Sequence, residues 1–265
     1  MKLQKLWSPL ILFFILALYL PVAVAQTQII KFSCSAQIAR AFGWDVVKLL
    51  KEKDGIDLDI KIVSSGTALN RLENGFADVA AITIPLPFKY QESGYVGIPF
   101  RKDPVSIITR DDIKVDNIKS SEVVDIFKGT LINWKALGGQ NLTISKLVPC
   151  EETGIYGNFE KLFMGLNKIH YDYMTYCSIT TIPGVKSLPG AISFISHGAA
   201  VKEKGIKFLK IDGISASSSS YKYYQIFTLV TKGRADGNVK NLIDVALSKR
   251  GQALMKAKGM QPILP

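Results

Sequence analysis

The stretch Val63-Ser64-Ser65-Gly66-Thr67-Ala68-Leu69-Asn70-Arg71-Leu72 constrains this chain more than any other. Before it, Leu58–Val63 alternates charged and apolar residues in a β-branched setting, which predicts a strand. After it, Ala68, Leu69 and Leu72 recur at helical spacing, and Gly75 just beyond Asn74 marks a helix stop. A strand that turns at once into a helix leaves the first N–H groups of that helix unpaired, at its positive end. Gly66 lets the backbone come close to whatever sits there, and Ser64, Ser65 and Thr67 add short donors. Two readings follow. Either Ser65 or Thr67 caps the helix, as Ser and Thr commonly do, or the loop is a pocket for a small oxyanion.

The flanking segments favour the pocket. Ile29–Ser33 reads as a strand and Cys34-Ser35-Ala36 as a turn. Gln37–Lys51 reads as an amphipathic helix with Ile38, Ala41, Phe42, Val46, Leu49 and Leu50 inward. Val79–Ile84 is nearly all apolar, as a parallel strand covered on both faces should be, and Pro85 ends it. The order is β-α-β-α-β, with turns at Cys34-Ser35, at Ser64–Thr67 and at Thr83 on the carboxyl ends of strands. Ligands of open α/β sheets gather at that edge.

A second unit of the same kind follows. Val105–Arg110 is a further strand, and Ser120-Ser121-Glu122 opens a helix over Val123–Phe127 that stops at Gly129. The strand Ile144–Val148 delivers Pro149-Cys150-Glu151-Glu152-Thr153-Gly154 to a helix over Tyr156–Leu166. Gly190–Ile195 reads as a buried strand and Tyr223–Val230 as a β-rich run, before two closing helices, Val239–Ser248 and Gly251–Lys258. The expected architecture is α/β and two-lobed, each lobe a mixed sheet flanked by helices. The chain crosses over near Val105–Arg110 and returns near Tyr223–Val230. That divides it into a first lobe over 26–107, a second over 108–222, and a return to the first over 223–265. A ligand between the lobes would touch loops of both, and the two-segment hinge would allow closure around it.

Residues 1–25 read as a cleavable export signal: Lys2 and Lys5, the apolar run Leu10–Leu20, then Ala23-Val24-Ala25 before Gln26. The run is short for a membrane span, and the expected location is the periplasm. Lys and Arg number 33 against 22 Asp and Glu, a net charge of +11 that becomes +9 without Lys2 and Lys5. These charges are scattered, so a solvated basic surface is expected, with mild attraction for anions and no nucleic-acid partner. The three cysteines, Cys34, Cys150 and Cys177, permit one bridge and one thiol in an oxidising compartment. Cys150–Cys177 is the favoured pair, since both lie in the middle segment. His170 and His197 have no Cys or His at ligand spacing and read as surface or boundary residues, so no metal or other cofactor is expected. Neither histidine supplies a family signature that would activate a cysteine nucleophile, and Glu151-Glu152 reads as a solvated pair; the chain reads as a binding protein, not an enzyme.

Four ordered stretches resemble one family. They are SSGTALNRLENGFADVAAITIPL, DIFKGTLINWKALGG, VKSLPGAISFIS and SKRGQALMKAKGMQPI, spread over nearly the whole chain after residue 25. Together they resemble the phosphate-binding proteins of bacterial ABC importers, with the type II periplasmic solute-binding fold. The resemblance implies a monomer that captures a small oxyanion between its lobes and delivers it to an importer permease. It also implies a ligand set: Cys34 and Ser35 in the first loop; Ser64, Ser65, Gly66 and Thr67 in the second; then Thr83, Cys150, Thr153 and Gly154. Thr83 stands where the family carries an Asp, and Cys150 where it carries an Arg. Thr153-Gly154 matches the family's Ser-Gly with a one-residue deletion, and Ile155 replaces the Thr that follows. The implied pocket is neutral and rich in hydroxyls, and it lacks the strongest bidentate donor for phosphate. The same fold serving a sensor or an envelope adhesion protein is the alternative, with an enzyme behind it.

Overall fold

The computed structural model describes residues 28–263, so the export signal over 1–25 lies outside the described residues. The first half opens with β1 (Gln28–Cys34), α1 (Ala36–Asp54), β2 (Ile56–Ile62), α2 (Ser65–Glu73), β3 (Val79–Ile82) and α3 (Phe88–Glu92). The long strand β4 (Tyr95–Arg110) leads to β5 (Asn117–Ile118), α4 (Ser120–Lys128) and β6 (Ser145–Pro149). Next come α5 (Gly154–Phe159), extended by a π-helical turn over Glu160–Met164, then β7 (Tyr173–Thr175), α6 (Ser178–Ser187) and β8 (Ala191–Ser196). The chain closes with α7 (His197–Ala200), β9 (Ile206–Phe208), β10 (Lys210–Ile211), β11 (Tyr224–Lys232), α8 (Gly237–Leu247) and α9 (Lys249–Lys256).

Each half contains three neighbouring parallel strands: β2, β1 and β3 in one, β8, β6 and β7 in the other. Two antiparallel strands join them. β11 bridges β3 to β4 over Tyr95–Pro104, and the remainder of β4 pairs with β8 and β9. The expected pair of sheets is therefore one strand path, β2-β1-β3-β11-β4-β8-β6-β7, shared through β4. Parallel strands that are buried on both faces read as continuous apolar runs, and β3 and β8 are buried at every residue.

The core is divided in the same way. One large cluster is built around Phe32, Phe42, Phe100 and Phe227, with Leu242 and Met255 of the closing helices. The other surrounds Trp134, Phe127, Phe159 and Phe194. Phe159 stacks on Phe194 at 3.8 Å, and Trp134 Nε1 donates to Gly190 O at 3.0 Å, which holds the Asn-Trp turn against the start of β8. Among the described residues no helix is long and apolar enough to cross a membrane.

Candidate functional site

Parallel strands that end at one edge deliver the helices after them to that edge as well. Four helices of this protein follow that rule: α1 after β1, α2 after β2, α5 after β6 and α6 after β7. Their N-caps are Ser35, Ser64, Thr153 and Cys177, and all four line a single cleft of ≈ 410 Å³. Ser35 and Ser64 are extended and accept from Ile38 N and Thr67 N, at 3.3 and 3.2 Å. The next N–H groups, those of Ala36 and Gln37, have no acceptor within the helix, and both residues line the cleft. None of the four helices has an acidic residue in its first turn, and only α5 has a carboxylate, that of Glu152, directly before its cap. Among the described residues the lining contains no Lys, Arg or His, and Glu152 is its one carboxylate. Ile62, Val63 and Tyr176 add an apolar rim.

Of the residues expected at the site, Ser35, Ser64, Thr67, Cys150 and Thr153 line this cleft. Ser65, Thr83 and Gly154 meet one another behind it. Ser65 Oγ accepts from Thr83 N at 3.1 Å and lies 3.4 Å from Thr83 Oγ1, with both side chains buried. Gly154 packs so closely on them that a Cβ there would overlap the Thr83 hydroxyl. Cys34 belongs elsewhere: it is fully buried in the core with Ile30 and Phe32, and burial pushes its thiol up to about 12. That corrects its expected place in the first loop and makes a thiolate nucleophile there untenable.

Four further expectations are corrected. The cap of α2 is Ser64, one residue earlier than expected, because Ser64 is the last residue with extended backbone. Gly66 is exposed, and a Cβ there would meet nothing nearer than Ser64 Oγ at 4.0 Å, so the glycine that close approach requires is Gly154. His197 is buried, not a boundary residue. Its ring lies 4.6 Å from Phe208, its Nδ1 is 3.0 Å from Ser106 Oγ, and burial lowers its pKa to about 4. No disulfide joins Cys150 to Cys177, although both line the cleft.

Sequence reasoning missed α6, which supplies Cys177 and Ser178, and a polar chain that ties the two halves behind the cleft. Asn158 Nδ2 on α5 donates to Thr83 O at 2.8 Å and to Gln225 Oε1 at 3.0 Å. Gln225 Nε2 donates to Gln37 Oε1 at 3.1 Å and to Asp103 Oδ2 at 3.3 Å. Asp103 also accepts from Ser196 Oγ at 2.5 Å and Gly198 N at 2.8 Å. Burial still raises its pKa to about 6, against the pull of those bonds. A larger cavity of ≈ 490 Å³ lies beside Trp44, but two of its cations are already engaged. Arg40 pairs with Glu203 at 3.1 Å and Lys258 with Asp45 at 3.6 Å.

Two halves with parallel strands, a shared pair of crossing strands and a cleft ringed by helix N-termini define the two-lobed α/β fold of the type II periplasmic binding-protein class. The chain belongs to the PBP superfamily domain family, whose model matches residues 22–250. It is 22% identical over 227 residues to the phosphate-binding protein PstS of Bacillus subtilis, covering 82% of this chain and 74% of that one. It is 25% identical over 213 residues to PstS of Borreliella burgdorferi, covering 74% and 76%. Among solved structures, a phosphate ABC transporter substrate-binding protein of Clostridium perfringens with bound phosphate superposes with a TM-score of 0.80. That pair shares 19% identity, over 89% of this chain and 100% of the other.

Proposed function

We propose that this chain is an extracytoplasmic solute-binding protein that holds phosphate or a phosphate-bearing anion between its lobes for an ABC importer, without chemical turnover. The lobes are taken as 26–107 with 223–265, and 108–222. The observation that carries this reading is the convergence of four helix N-termini, free of first-turn carboxylates, on one cleft. The phosphate-binding relatives support the choice of anion. With Cys150 and Thr83 where the resembled family carries Arg and Asp, charge compensation falls to backbone N–H groups and hydroxyls, so orthophosphate binds more weakly than in a site with a forked Arg donor.

The test is a thermal-shift panel of inorganic phosphate, sulfate, sugars and amino acids. A ligand that binds only the folded state raises the melting temperature. Phosphate is expected to raise it and neutral sugars to leave it unmoved; the reverse would refute the anion site. Ser35→Ala should weaken phosphate binding about tenfold by calorimetry, since Ser35 Oγ accepts from Ile38 N and keeps its O–H to donate, and a hydrogen bond to a charged group contributes roughly 1.5–3 kcal/mol; the Thr153 hydroxyl already donates to Cys150 O at 2.6 Å. Ser65→Ala should do less, because the Ser65 hydroxyl is engaged with Thr83. Unchanged affinity in Ser35→Ala would place the ligand elsewhere. Protein recovered from the cell envelope should begin at Gln26, as intact-mass measurement can check; retained Met1 would refute cleavage.

A further inference from the structure

We propose that the cleft takes a phosphate monoester of a small polyol or sugar in preference to bare orthophosphate, an inference that rests on the anion-binding reading above. Size is the first argument. Orthophosphate has five heavy atoms and fills roughly 100 Å³ on the scale where a water takes about 30 Å³, so it leaves most of the ≈ 410 Å³ cleft unfilled. That space is not made by lobes standing apart, because Asn158 and Thr83 already tie them behind the cleft at 2.8 Å.

The second argument is how the lining is sorted. Hydroxyls and helix starts suit the phosphate group, but Ile62 and Tyr176 add apolar surface for which an inorganic anion has no use. Tyr176 is 93% exposed and Ile62 55%, so neither is needed to fill the core. Glu152 decides between tails. Its carboxylate lines the same cleft and, among the described residues, accepts only a weak Cys150 Sγ contact at 3.8 Å. Toward a fully ionised phosphate it is repulsive; toward a hydroxyl of a polyol or sugar it is a strong acceptor. The carbon face of such a tail packs on a tyrosine ring, as ligands of mixed polarity commonly do.

Calorimetric titration of the exported chain with inorganic phosphate, glycerol 3-phosphate, glucose 6-phosphate and glucose tests this. The expected result is an ester that binds at least tenfold tighter than inorganic phosphate, with glucose alone not binding. Tyr176→Ala and Glu152→Gln should each reduce that ester-over-phosphate ratio at least fivefold. Inorganic phosphate matching both esters, or a ratio that neither variant moves, would overturn the inference and leave the anion site standing. Binding of neither phosphate nor ester by a cooperatively folded protein would instead refute the anion site itself.

Discussion

Gly154→Ala is expected to lower ligand affinity about a hundredfold while each lobe folds as before. Gly154 opens α5 in the second half, and the space for its missing Cβ is taken by the hydroxyl of Thr83, from the first half. Ser65 Oγ and Thr83 Cβ would both lie at 3.4 Å from that carbon. Gly154 is not among the glycines with positive φ, so its backbone accepts alanine and the conflict lies between the halves. The Thr83 backbone cannot readily move aside, because Ser65 holds its N–H and Asn158 its carbonyl, and its hydroxyl is held against Ser65 Oγ at 3.4 Å. The halves must therefore part, and an anion gripped by both loses hydrogen bonds from one. Two such bonds at about 1.5 kcal/mol each are roughly a hundredfold in affinity. Calorimetry with inorganic phosphate measures it, and Thr83→Ala combined with Gly154→Ala should recover most of the loss. Wild-type affinity in the single variant would mean that the halves do not close on the ligand.

The second large effect is in stability against pH, and in wild type it is hidden. His197 has a folded pKa of about 4 against an ordinary 6.5, because burial disfavours the imidazolium. Its contribution is complete above pH 6.5 and is lost as pH falls toward 4, by roughly 3 kcal/mol. Asp103 has a folded pKa of about 6 against 3.8, because burial disfavours the carboxylate. Its contribution is complete below pH 3.8 and is lost as pH rises toward 6, by a similar amount. The two nearly cancel across one window. Asp103→Asn should therefore gain stability relative to wild type, by roughly 3 kcal/mol, between pH 4 and 6.5. His197→Gln should lose about as much over the same range. Denaturant titrations at several pH values give these differences, and parallel profiles for all three proteins would refute both shifts.

Both effects depend on residues whose importance the sequence shows only in part. The strand–loop–helix units were legible because near neighbours produce them: charged and apolar residues alternating through β2, helical spacing in α1 and α2, and apolar runs in β3 and β8. The core position of Cys34 was missed, although a period of two puts it on the face of Ile30 and Phe32. Helix α6 was not legible. Its sequence, SITTIPGVKS, is β-branched and carries Pro183, so propensity argues against a helix. Packing overrides it: Ile182 and Val185 are buried beside Leu147, and Gly184 sits so close that a Cβ would come within 2.6 Å of Leu147 Cδ2.

The candidate site divides along the same line. That Ser35, Ser64, Thr67, Cys150 and Thr153 stand at the ends of strands follows from local pattern, and so does their suitability for an anion. That Thr83 faces Gly154, that Gln225 joins Gln37 to Asn158, and that Asp103 and His197 are buried together does not. Periodicity records which face of an element is apolar, and it is set by residues three or four apart. Which faces and loops then meet depends on how β4 and β11 carry one half against the other, bringing together residues such as Gln37 and Gln225 that are 188 positions apart. No local pattern encodes such a distance, so the sequence alone determined the elements and their polar ends, and the tertiary structure decided what those ends enclose.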